Sequence, residues 1–118
     1  DLLLLHAEAA YYNGNEDVAR ASVNKVRERA RGGNSSVLPY LTPTTTGTAL
    51  LEAIWRERRV ELGMEGHRFF DLVRQNRAYE VMQAFGQTKF AEGINEIFPI
   101  PDAEISLSNG VLEQNFGY

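Results

Sequence analysis

Apolar positions over the first two-thirds of the chain recur at helical spacing, in blocks separated by Gly, Asn and Pro. Leu2 to Tyr12 is apolar almost all round, with Leu2, Leu5, Ala9 and Tyr12 on one side and Leu3, Ala7 and Ala10 on another. Such a helix is expected to need partners on two faces. Asn13-Gly14-Asn15 ends it, and Glu16-Asp17 place acids at the start of a second helix, where the macrodipole favours them. That helix should run to about Arg31 on a stripe of Val18 or Ala19, Ser22 or Val23, Val26 and Ala30. Lys25, Arg27, Arg29 and Arg31 crowd its C-terminal half, which suits the negative end of the dipole, and Gly32-Gly33 stop it.

Residues 32–47 have no helical period and contain two prolines, so they read as a surface loop with Val37, Leu38 and Leu41 available to pin it. Thr48 can cap a third helix, Ala49 to about Met64, broken at Gly66. A fourth runs from His67 to about Asn76, and Ala78 to Phe85 continues it or forms a separate turn. Asn95 to Pro101 is extended, because each proline restricts the residue before it. Asp102 to Leu107 forms one short turn of helix, and Gln114 to Tyr118 is coil. The expected class is all-α: a tetratricopeptide-like hairpin, further helices with long irregular loops, and an extended C-terminal tail. Ala7, Gly14, Ala19, Val23 and Val26 fall at the small and medium positions of such a hairpin, with no second copy legible. One domain is expected over 1–118, made of a hairpin (1–31), a loop (32–47), central helices (48–85) and an irregular tail (86–118).

A chain of 118 residues buries enough surface for a core without staples, and with no Cys it has no disulfide, thiolate metal site or cysteine nucleophile. The net charge of −4 argues against a general nucleic-acid binder. Its placement is uneven: residues 79–118 hold six acids against Lys89 alone, while the rest is close to balanced. Ten of the twelve bases are Arg, which favours planar, paired contacts. Leu2 to Leu5 falls far short of the roughly 20 apolar residues of a membrane span, and no targeting signal is expected in these residues. The abrupt start, with no cap residue or turn before the first leucines, raises the expectation that the sequence is a piece of a longer protein.

The densest constellation is Arg56 to Leu72. Helical spacing puts Arg58 in one stripe with Leu51, Ile54, Trp55 and Leu62, and a guanidinium on an apolar face is costly unless it meets a carboxylate, here Glu61 or Asp71. Arg58 with Glu61 or Asp71 is therefore expected to form a structural ion-pair network that locks the bend at Gly66. The alternative is a site in which Glu57, Glu61, Glu65, His67 and Asp71 bind a metal or act as an acid and base pair. Their spacing matches no ligand pattern, and the neighbouring arginines repel a cation, so no metal, cofactor or catalytic residue is expected. His6 reads as a hydrogen-bonded packing residue and Trp55 as buried. No nucleophile elbow or phosphate loop is present. Tyr40, between Pro39 and Pro43, is the ring most expected to face solvent and the one candidate for stacking on a ligand.

Three stretches resemble the SusD/RagB family of surface-exposed, glycan-binding outer-membrane lipoproteins of Bacteroidota. Leu2 to Ala9 is similar to its Leu-Leu-x-x-Ala-Glu-Ala helix, and Asn24-Lys25-Val26-Arg27-Glu28-Arg29-Ala30 extends that first stretch. Arg56 to Leu72 resembles its Arg-Glu-Arg-Arg-Val-Glu-Leu, Glu-Gly-His-Arg, Phe-Asp-Leu signature, and the resemblance implies that Arg58, Arg59, Glu61, His67, Arg68 and Asp71 form a structural framework. Phe98-Pro99-Ile100-Pro101, Glu104-Ile105 and Gln114-Asn115-Phe116-Gly117-Tyr118 resemble its closing motifs, with Phe116 where the family usually has Pro. The resemblance implies the C-terminal part of a longer protein, lipid-anchored through an N-terminal segment absent here. It implies tetratricopeptide-like helix pairs, an oligo- or polysaccharide ligand and docking on a TonB-dependent transporter, without catalysis. The other readings are a protein-interaction module, in which the first two helices contact the transporter or the rest of the parent chain, and an enzyme built on the Glu, His and Asp cluster.

Overall fold

A computed structural model describes residues 1–118 and contains six helices and no strand. The helices are α1 (Leu2–Tyr12), α2 (Glu16–Ala30), α3 (Gly47–Glu61), α4 (Arg68–Arg74), α5 (Ala78–Ala84) and α6 (Asp102–Leu107). The all-α class is as expected. The chain divides into two compact units, Asp1–Arg68 and Phe69–Tyr118.

In the first unit α1 and α2 form a hairpin around Asn13-Gly14-Asn15, where Gly14 takes the left-handed φ of +75° that ends α1. Alanines at 7, 10 and 19 let the two backbones approach, and Val23 and Val26 continue the α2 stripe. α3 packs against both helices, and Leu50 and Ile54 close the core with Leu4, Ala7, Ala10, Ala19, Val23 and Val26. Leu4, Val23, Leu50 and Ile54 are completely buried, each contributing about 1.5–3 kcal/mol relative to exposure.

Two facings differ from expectation. α1 is covered on one side only: Leu4, Ala7, Glu8 and Ala10 are buried, while Leu2, Leu5, Ala9 and Tyr12 face solvent. The two helices packed on it, α2 and α3, cover one stripe of α1 and no more. On α3 the buried face is Leu50, Ile54, Glu57 and Arg58. Leu51 and Trp55 lie half-buried at its flank, because the indole N–H reaches sideways to Glu8 on α1. α3 also stops at Glu61, earlier than Met64, since Met64 turns to φ +69° and Gly66 to +79°.

The second unit is built from short helices. α4 and α5 are separate, interrupted at Asn76, which sits at φ +54°. Leu72 and Ala78 are its fully buried apolar residues. α6 follows Pro101 over the expected Asp102–Leu107.

Candidate functional site

The polar face of α2 holds down the loop that follows it. Glu16, Arg20, Asn24 and Arg27 recur at helical spacing beside the apolar stripe and meet successive points of the chain running antiparallel to the helix, and Arg31, just past the helix end, meets Tyr40. Glu16 Oε1 accepts from the Gly47 N–H at 2.8 Å, and Arg20 donates to the Thr45 carbonyl at 2.9 Å. The Asn24 amide pairs with both backbone groups of Leu41, accepting its N–H at 2.8 Å and donating to its carbonyl at 3.1 Å. Arg27 donates to the Pro39 carbonyl at 2.8 Å, and the Arg31 guanidinium lies 3.9 Å from the centre of the Tyr40 ring. Arg20 is itself held by Glu16 and Asp17 on its own helix. Leu41 alone of the three expected apolar pins packs on the core; Val37 and Leu38 stay exposed.

A second layer of charges links the helices. Arg27 Nε donates to Glu57 at 2.8 Å, a largely buried pair between α2 and α3, and Arg29 pairs with Glu61 at the surface. Arg58 is 4 % exposed and its Nη1 donates to Asp1 at 2.5 Å, tying α3 to the start of α1. Trp55 Nε1 donates to Glu8 at 3.0 Å, and the His6 ring bonds the Ser22 hydroxyl at 2.9 Å. Asp1, not one of the partners expected for Arg58, is a member that helical spacing does not reveal, since it lies 57 residues away.

Arg58 and Glu61 join the charge layer around α1, α2 and α3, and in the second unit Asp71 accepts from Arg74 at 2.9 Å one turn along α4. His67 faces Glu65 at 4.0 Å, both half-exposed. Arg59 is exposed at the end of α3, and Arg68, half-buried, opens α4; both make polar contacts. No three His, Asp or Glu side chains converge in metal-ligand geometry. Glu57, Glu61 and Asp71 all use carboxylate oxygens on arginines. Ion pairs of this kind brace the fold around them.

Two openings border the helices of the first unit. A cleft of about 220 Å³ is lined by Asp1, Leu2, Leu3, Val26 and the Arg29–Glu61 pair, with Lys25 at its rim. The other, at the α1–α2 turn, is a polar depression beside Asn15 and Asp17. Tyr40 borders neither and stands in the strapped loop with 44 % of its surface exposed.

In the second unit the closing motif acts as a clasp. The Gln114 amide pairs with both backbone groups of Ile100, at 2.8 and 2.9 Å, and Asn115 donates to the Phe98 carbonyl at 2.8 Å. The Tyr118 hydroxyl donates to the Ile97 carbonyl at 2.8 Å. Gly117, at φ +92°, lies where a Cβ would come within 2.6 Å of Ile94. Phe116, the motif's one departure, is 87 % exposed, so the clasp does not depend on it.

Among curated proteins, the chain is similar to SusD-like protein P38 of Formosa agariphila, 37 % identical over the whole chain, and to SusD-like protein P2 of the same organism, 30 % identical over the whole chain. It spans about a quarter of the length of these relatives, 23 % of the first and 24 % of the second. No solved structure matches it. The SusD family match runs over residues 1–118 and takes in the charge layer, the strapped loop and the closing clasp alike, and the chain belongs to the SusD family.

Proposed function

We propose that the chain is a non-catalytic part of a cell-surface glycan-binding protein of a polysaccharide-uptake system. It works at the outer membrane, lipid-anchored, beside a TonB-dependent transporter that receives the captured glycan. The observation that carries this reading is the family match along all 118 residues. The engagement of Glu57, Glu61 and Asp71 by arginines supports binding over hydrolysis. Calorimetry of the full-length protein against a panel of oligosaccharides tests it, with chromatography of the same mixtures for cleavage products. Saturable binding with intact glycans is the expected result. Product release, or no binding across the panel, would overturn the reading.

One observation favours a second reading, an interaction module: Leu2, Leu5, Ala9 and Tyr12 present a continuous apolar face of α1 to solvent. In that role the first unit is a docking element for the transporter or for the rest of the parent chain. Cross-linking from Tyr12 in intact outer membranes separates the two partners.

A further inference from the structure

The loop at Tyr40 has features that the bracing function leaves unused. Its backbone is fixed at Pro39, Leu41 and Thr45 by side chains of α2, so the ring between these points is presented in one place. Arg31 covers one side of that ring at 3.9 Å, yet Tyr40 keeps nearly half of its surface in solvent. Each arginine within α2 is paired with a carboxylate: Arg20 with Glu16 and Asp17, Arg27 with Glu57, and Arg29 with Glu61. Arg31 meets the Tyr40 ring instead. Between Glu28 and Glu52 the chain contains Arg29 and Arg31 and no acid, although its net charge is −4. A planar guanidinium with open N–H donors recognises carboxylates and sulfates, and an aromatic face takes the C–H side of a sugar ring.

We propose that Tyr40 and Arg31 form a subsite for an anionic pyranose, the ring stacked on Tyr40 and its carboxylate or sulfate bonded to the Arg31 guanidinium. The proposal rests on the glycan-binding reading and narrows it to a class of sugar. Loop fixation lowers the ordering cost of binding, because the stacking ring need not be immobilised by the ligand.

The test is calorimetric titration of the full-length protein with pentagalacturonate, a sulfated galactan oligosaccharide and neutral maltopentaose. At least one anionic probe should bind more tightly than the neutral one, and comparison of the two anionic arms identifies the charged group. Tyr40→Ala should weaken the anionic arm about tenfold, with Tyr40→Phe close to wild type. Arg31→Gln should bring the anionic arm down to the neutral level and flatten its salt dependence. The backbone ties from Arg20, Asn24 and Arg27 remain in these variants, and unchanged thermal melts check that the fold is kept. Anionic binding no tighter than neutral, or titrations unchanged in both Tyr40→Ala and Arg31→Gln, would overturn the subsite while leaving glycan capture intact. Absence of binding to every glycan tested overturns both.

Discussion

The two units solve the same problem with different materials. In the first, helices of 11, 15 and 15 residues bury a Leu, Val, Ile and Ala core, and polar side chains of α2 then fasten a loop that has no helix of its own. In the second, helices of 7, 7 and 6 residues leave Leu72 and Ala78 as the fully buried apolar residues. There Gln114, Asn115 and Tyr118 hold the Ile97–Ile100 segment by its backbone. Hydrogen bonds that supplement a core in one unit substitute for much of one in the other. A bond of this kind nets only about 0.5–1.5 kcal/mol, so the second unit depends on several acting together.

The largest effect should come from the buried charge of the first unit. Arg27→Ala breaks the largely buried pair between α2 and α3 and leaves the Glu57 carboxylate without it, and a broken buried pair typically costs about 3–5 kcal/mol. Urea unfolding followed by Trp55 fluorescence reads this directly, because the single Trp lies on α3. A loss under about 1 kcal/mol would place the pair with ordinary surface contacts. Gly117→Ala should cost about 1–3 kcal/mol, from a non-glycine residue forced to positive φ and a Cβ driven against Ile94. It should appear as faster exchange of the Ile100 amide with the Trp55 transition unmoved; a shifted Trp55 transition would erase the contrast between the units. Asn24→Ala deletes both bonds to Leu41 and should lower stability by about 1–2 kcal/mol, seen in the same fluorescence titration. Smallest is Arg29→Ala: its side chain is 69 % exposed against Glu61, and the change should stay below about 1 kcal/mol.

The apolar period of Ala7, Ala10, Ala19, Val23 and Val26 made the hairpin legible, and Gly14 marked where α1 ends. The α1 facing was not legible, because a helix apolar all round contains no signal for which stripe wins; its neighbours decide. Glu16, Arg20, Asn24, Arg27 and Arg31 look like a solvated face and a dipole complement until the loop is in place. Their alignment at spacings of four and three residues was the available sign. Helical spacing could place Arg58 on the inner face of α3, yet its contact with Asp1 joins residues that no local pattern connects. The tail motif could be matched by resemblance, whereas its grip spans 14 to 21 residues of chain and shows only in the fold.

Amide hydrogen exchange tests most directly the claim that side chains, acting on backbone groups, hold the irregular segments in place. The N–H groups of Leu41, Gly47 and Ile100 are donated to Asn24, Glu16 and Gln114 respectively. All three should exchange well below the rate of open coil, and Leu41 alone should lose protection in Asn24→Ala. Exchange of these amides at the coil rate in the wild-type protein would contradict the account.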